Sequence, residues 1–360
     1  MPGPATIDHL VIRARDLESG SAYVADALGI DLVDGGAHPA MGTHNRVTGI
    51  GDAYLEVIAV DPDASAPDRA RWFGLDELAD DAPPRLHAWI ARVDEPVETP
   101  ETGPALALSR GDLSRGDLSW RVTVRDDGHL PYDDAGPALI TWDGPPPAPQ
   151  QSGAQLISVV AVHPQPQPLR DALAAIDLAA PVSVQEGAEP ALVAAFDTPA
   201  GPRLITSTGT DLDVISERQA ALDLFHTTWR LLDRDDRVAA HDAAMIACAE
   251  ASLWHWRRVG APTQWAIGEW QCSRVHAILG DGPLALEHAQ RCLEIAEADR
   301  VDDFVPASAH EALSRAYAVL GDMDAAREQR NLAYRLAIEL DDEDRDVIEH
   351  DLGTIPIPLG

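Results

Sequence analysis

The sequence predicts an α+β protein in which paired βαβββ-type modules are followed by an all-α helical-repeat domain. Three observations predict it. Residues 5–60 read as strand, helix, strand, strand, strand. Residues 156–207 repeat a strand–helix–strands order. After about Gly209 the apolar period changes from two to 3.6.

The first strand, Ile7-Asp8-His9-Leu10-Val11-Ile12, sets one histidine among apolar neighbours. Leu17 to Leu28 follow as a helix that stops at Gly29. The strand Tyr54-Leu55-Glu56-Val57-Ile58 buries a carboxylate in the same way. Residues 61–84 read as a surface excursion around Trp72-Phe73, and 86–93, 120–124 and 137–142 as further strands. Between the last strands, Ser-Arg-Gly-Asp-Leu occurs twice in tandem at 109–118, as expected of a loop or hairpin. The proline-rich stretch 144–149 is a stiff linker. It leads to a strand at 156–162, a helix at 168–176 and strands at 191–196 and 203–207.

Helices are expected near 216–233, 238–258, 262–279, 283–299, 304–320, 324–340 and 342–351. Leu279-Gly280-Asp281 and Leu320-Gly321-Asp322 recur 41 residues apart. The small residues Ala285 and Ala326, Cys292 and Ala333, and Ala296 and Ala337 keep that offset. Residues 213–352 therefore resemble a tetratricopeptide-type stack of helical hairpins, with a longer period than usual. The expected division is 1–209, 213–352 and a tail at 353–360.

The chain has 360 residues and a net charge of −33, with 60 acidic and 27 basic residues. Every basic residue is arginine, and the charge is spread evenly along the chain. Such a surface repels nucleic acid and anionic membrane. No apolar run approaches membrane-spanning length, and the N-terminal residues lack the pattern of a signal peptide. Cys248, Cys272 and Cys292 form no Cys-x-x-Cys pair and read as reduced, buried thiols. A cytoplasmic location is expected. Glycine-rich nucleotide loops, nucleophile elbows and His-Glu-x-x-His are absent, so no nucleotide cofactor is expected.

His9 and Glu56 in strands are costly to bury unless they share a partner, and a divalent metal satisfies both. A direct His9–Glu56 hydrogen bond across the sheet is the simpler alternative. These residues, with His38-Pro39, Gly42-Thr43-His44-Asn45-Arg46 and Leu139-Ile140-Thr141-Trp142-Asp143, resemble the glyoxalase-like branch of the vicinal oxygen chelate superfamily over about 200 residues. The resemblance implies that His9 and Glu56 are metal ligands (for Fe, Mn, Ni or Zn), with Glu56 also catalytic. His44, Asn45 and Trp142 would bind substrate. It implies a metal-dependent lyase, isomerase or dioxygenase acting on a small oxygenated metabolite. It also allows modules to pair within one chain or between two in a homodimer. Aligning 156–207 as the second module puts Ile157 and Ile205 opposite His9 and Glu56, and neither can bind metal. That gap supports the alternative, a non-catalytic protein that sequesters a ligand. Trp89, Trp120 and Trp142 could wall a cavity, with two of the three expected in the core.

Five of the nine tryptophans fall in 229–270. Trp254, His255, Trp270 and Arg274 lie on two consecutive helices. Converging with Glu269, they would form a groove for a protein or peptide partner; the plainer expectation is a helical core.

Overall fold

The structure, a computed structural model, describes residues 3–110, 118–209, 213, 215–301 and 304–357. Most of the tandem pentapeptide lies outside the described residues. Two compact units divide the chain, Met1–Ser216 and Glu217–Gly360. Among the described residues no helix is long and apolar enough to cross a membrane.

In the first unit, β1 (Thr6–Arg13) leads to α1 (Leu17–Leu28), β2 (Val33–His38), β3 (Thr43–Ile50) and β4 (Ala53–Val60). Asp16 caps α1 by accepting from Ser19 N, and Gly29 closes it in the left-handed region at φ 69°. The sheet order of this module is β2-β3-β4-β1, with β1 and β4 parallel. The next strands, β5 (Arg85–Arg92), β6 (Ala105–Arg110), β7 (Leu118–Thr123) and β8 (Ala138–Trp142), repeat that order as β5-β8-β7-β6. Here β5 and β8 are the parallel pair. Antiparallel pairing of β1 with β5 joins the two modules into one eight-stranded sheet.

The second module is therefore 85–142 and not 156–207. It lacks a helix between β5 and β6, so the 3.6-residue period that marks the first module has no counterpart. Residues 155–206 form a separate sheet from β9 (Gln155–His163), α2 (Pro166–Ala175), β10 (Val182–Glu186), β11 (Ala191–Thr198) and β12 (Gly201–Thr206). Its order, β10-β9-β11-β12, differs from that of a module because β9 pairs parallel with β10.

Alternation along each strand separates two apolar layers. On one face of the eight-stranded sheet, Leu10, Leu55, Val57 and Trp89 pack with α1 and with Val159, Leu192 and Phe196 of the four-stranded sheet. On the other, Val11, Ile58, Ala88, Ile90, Ala138 and Ile140 face Trp72, Trp120 and Val122. Trp89 is fully buried in the first layer, its indole N–H donating to Ala135 O at 3.1 Å.

The second unit comprises α3 (Glu217–Leu232), α4 (Ala239–Val259), α5 (Pro262–Ile278), α6 (Gly282–Ala298), α7 (Val305–Leu320), α8 (Met323–Ala337) and α9 (Asp342–Gly353). Successive helices pack as hairpins. Asp281 and Asp322 cap α6 and α8 through the same backbone geometry. Ser273 and Ser314 each donate to an alanine carbonyl at 2.8 Å, Ala285 O and Ala326 O. The offset extends to α4, where Ala244 precedes Ala285 and Ala326 by the same step, and all three are buried. Of the expected tail, Ile355 and Ile357 are buried with Ile348 and Leu352.

Gly20 fixes how closely α1 approaches the sheet. A Cβ there would lie 2.3 Å from Val57 Cγ1 and 2.9 Å from Ala14 Cβ. Gly20→Ala is expected to lose about 1–3 kcal/mol of stability through overpacking, despite the better helix propensity of alanine. Denaturant unfolding measures it, and an unchanged or raised midpoint would refute the close-approach argument.

Candidate functional site

The second apolar layer encloses a cavity of ≈ 60 Å³ on the concave face of the eight-stranded sheet. Its polar groups come from the first module: His9 on β1, His38 on β2, Asn45 on β3 and Glu56 on β4. A register shift between Ile7 and His9 in the β1–β5 ladder accompanies an unusual pairing. Neighbouring strand residues ordinarily point to opposite faces, yet Asp8 Oδ1 lies 2.7 Å from His9 Nδ1. Asp8 is buried, and Trp142 Nε1 donates to its second oxygen at 3.0 Å. His9 Nε2 faces Glu56 Oε2 at 3.6 Å, and the Asn45 amide donates to Glu56 Oε1. Tyr54 stacks on the His9 ring at 4.5 Å.

The opposite wall is apolar. Ile90, Leu118, Trp120, Val122 and Trp142 supply it from the second module. Trp72 and Phe73, from a short 3-10 segment at Trp72–Glu77, close one side, and Pro147 and Pro149 of the linker line another part. Phe73 and Gly74 sit in the left-handed region at φ 60° and 57°. Arg13 holds this turn by donating to Phe73 O and Gly74 O at 3.0 and 3.3 Å. A left-handed Phe is a strained arrangement that its surroundings must enforce.

The structure brings together His9, Asn45, Glu56 and Trp142. His44 is not among the cavity-lining residues, since strand alternation turns it to the face opposite Asn45. Of the three tryptophans in question, Trp89 and Trp120 are buried in the two apolar layers, as two of the three were expected to be, and Trp120 together with Trp142 also lines the cavity. The sequence reading missed His38, Tyr54, Trp72 and Phe73 as site residues. The period-two pattern held a signal for His38 and Tyr54, while Trp72 and Phe73 reach the site by a turn with no sequence period.

The second module offers no ligand opposite His9 and Glu56. The described second-module residues that line the cavity are Ile90, Leu118, Trp120, Val122 and Trp142, none of which can bind a metal. Ile157 and Ile205 belong to the other sheet. Among the described residues no group of three or more His, Cys, Asp or Glu is placed to hold a metal ion. Two donors, one already engaged by Asn45, fall short of the three protein ligands of a typical catalytic zinc site. The donor set does not fit a protein-enclosed metal centre.

A second polar group lies behind the Arg13 clamp. His87 Nε2 is buried without a hydrogen-bond partner, 3.8 Å from Asp134 Oδ2, and His129 Nδ1 lies 3.1 Å from the same oxygen. Burial, reinforced by the Arg13 charge, pushes the His87 imidazole down to about 4 against the pull of Asp134.

In the helical unit the expected groove residues sit in three separate ion-pair sets. His255 is fully buried with Nδ1 3.3 Å from Glu217 Oε2, and the Arg258 guanidinium lies over Trp254 at 5.0 Å. Glu269 is fully buried between Arg257 and His288. Arg274 lies over Trp229 and Trp270 and pairs with Asp351 at 2.8 Å, while Trp270 Nε1 donates to Glu311 at 2.9 Å. His255, Glu269 and Arg274 are thus spent on the unit's own packing rather than converging.

Residues 7–176 match the family described as a glyoxalase-like domain. No curated protein matches the chain. Among solved structures, a hypothetical protein from Staphylococcus aureus is 14% identical, covering 47% of this chain and 73% of its own, with a TM-score of 0.33. Methylmalonyl-CoA epimerase from Mycobacterium tuberculosis is 17% identical over 39% of this chain and 88% of its own, TM-score 0.25. A Streptomyces coelicolor methylmalonyl-CoA epimerase variant in complex with 2-nitronate-propionyl-CoA is 14% identical over 39% and 100%, TM-score 0.26.

Because its folded value is depressed, His87 contributes stability that is present above its unfolded value of about 6.5 and is lost as pH falls toward 4. His87→Gln is expected to flatten the fall in stability across that window. Parallel denaturation curves for both proteins check it, and identical pH profiles would rule the effect out.

Proposed function

We propose that the glyoxalase-like domain at residues 7–176 binds a compact small molecule in the concave cavity. One observation carries the reading. A buried carboxylate and two buried histidines face a cavity whose other wall is aromatic and aliphatic. Polar groups this deep cost stability unless they are satisfied, and a bound ligand satisfies them. The division of the walls selects a ligand with one polar end, set against His9, Asn45 and Glu56, and an apolar body against Ile90, Trp120 and Val122. At ≈ 60 Å³ the cavity suits a head group of few heavy atoms.

Any chemistry belongs to His9 and Glu56. The Asp8 carboxylate engages His9 Nδ1, so Nε2 is the atom left to face Glu56 and the ligand. Paired acid and base groups of this kind suit proton transfer on a small oxygenated metabolite, the isomerase or lyase form of the proposal. A second reading is a weak, exchangeable divalent ion that would be held by His9 Nε2 and Glu56 Oε2 with water completing its shell, rather than a protein-enclosed centre.

Residues 1–209 and 213–352 would act as separate domains, the second a tetratricopeptide-like stack that presents an outer surface to a protein partner. Its buried ion pairs give rigidity to that stack.

Ligand-induced melting shifts over a panel of small oxygenated compounds test the binding reading. A hit is expected to lose at least tenfold in affinity, about 1.4 kcal/mol, in Trp120→Ala and in Glu56→Gln. A hit unaffected by both variants would place binding elsewhere and sink the assignment. Metal content of purified wild type beside His9→Ala and Glu56→Gln decides the second reading, which requires near-stoichiometric metal lost in both.

A further inference from the structure

We propose that the ligand class of this cavity is a compact ammonium ion, held by a cage of aromatic rings over the Glu56 carboxylate. The inference rests on the binding reading above and narrows it to one charge type.

The rings come first. Trp142 and Trp120 have centroids 5.4 Å apart. His38 meets Trp120 at 5.9 Å and Trp72 at 5.2 Å, both edge-on, and Trp72 stacks on Phe73 at 5.6 Å. These five side chains form a continuous chain of rings along the cavity wall. Aromatic faces carry negative potential, so a desolvated cation is attracted to them where an anion is repelled.

The charge balance points the same way. Among the described residues lining the cavity, Glu56 is the sole carboxylate and no arginine is present. Glu56 is 5% exposed, so its charge is poorly hydrated. His9 lies between two carboxylates, Asp8 and Glu56, so a positive charge on its ring would be balanced within the wall. An entering anion would meet Glu56 with no arginine in the described lining to offset it, whereas an entering cation would be set against that carboxylate.

The last argument is the hydrogen bond. Asn45 engages Glu56 Oε1, while Oε2 stands 3.6 Å from His9 Nε2, beyond hydrogen-bond distance. Oε2 is therefore open to an N–H donor or to direct contact with a quaternary head. The net charge of −33 also draws cations toward the surface. An aromatic core with no ligand would explain the rings, but not a carboxylate placed among them.

The test uses the full chain and three probes of one shape: choline, its uncharged carbon isostere neohexyl alcohol, and the anion tert-butylacetate. Tryptophan fluorescence and calorimetry follow binding. Choline is expected to bind at least tenfold more tightly than neohexyl alcohol, with tert-butylacetate the weakest. Glu56→Gln, which keeps the size and the Asn45 contact, is expected to bring the choline and alcohol affinities close together. Trp120→Leu is expected to weaken choline by tenfold or more. Equal or tighter binding of the neutral or anionic probe would overturn the cation preference and leave the small-molecule reading standing. Choline binding that ignores both substitutions would overturn the site. Failure of all three probes would overturn the ammonium class, while the wider compound panel still decides whether the cavity binds anything.

Discussion

The antiparallel pairing of β1 with β5 is the contact on which the rest of the first unit depends. Each module alone is a four-stranded sheet with an open edge. Joined at that edge, their inner faces enclose a space that neither has alone. The same pairing brings Trp142, on the strand next to β5, within hydrogen-bond reach of Asp8 on β1. It also carries the register shift that accompanies the meeting of Asp8 and His9. A slip of one residue along this ladder would turn His9 to the opposite apolar layer and empty the cavity of its polar end.

The energetics of that polar end are one-sided. Removing an ionised carboxylate from water costs several kcal/mol, recovered only through partners of good geometry. Asp8 meets this cost with His9, the Trp142 indole and, at 3.8 Å, Arg92. Among the described residues Glu56 has the Asn45 amide at one oxygen and His9 at 3.6 Å from the other. The arrangement is complete for Asp8 and incomplete for Glu56, the contrast on which the proposed ligand role of Glu56 rests. Apolar isosteres in both places would make a more stable sheet. Their absence supports the proposal that the polar end serves binding, as the left-handed Phe73 supports a wall held in place by its surroundings.

How much of this was legible in the sequence depended on range. Local signals carried far: the Leu17–Leu28 helix with its Gly29 stop, the strands around His9 and Glu56, and the change to a 3.6-residue period after Gly209 all correspond to elements of the structure. The partner of the first module was misplaced because the helix at 166–175 made residues 155–206 look like a module. The true partner, lacking a helix, had only long-range strand pairing to mark it. His44 and Asn45 show the same limit on a smaller scale. Both were visible as neighbouring polar residues between the first helix and the Glu56 strand, but which of them faces inward is set by register, and register is not a local property.

The helical unit shows why a sequence constellation can mislead in the opposite direction. Trp229, Trp270 and Glu311 occupy one position in three successive hairpins, 41 residues apart, and Arg274 and Arg315 share another. Identical placement on stacked helices brings these groups onto one side, where a ligand groove would be expected. The stack is instead tight enough for Glu311 and Asp351 to reach the arginines, with Arg315 donating to Glu311 at 2.6 Å and to Asp351 O at 2.9 Å. Arg274 retains only 8% exposure. The repeat therefore spends its charged row on holding neighbouring hairpins together. A partner would have to use the outer surface, where side chains such as Ile338 and Val347 remain exposed, rather than the row that first attracts the eye.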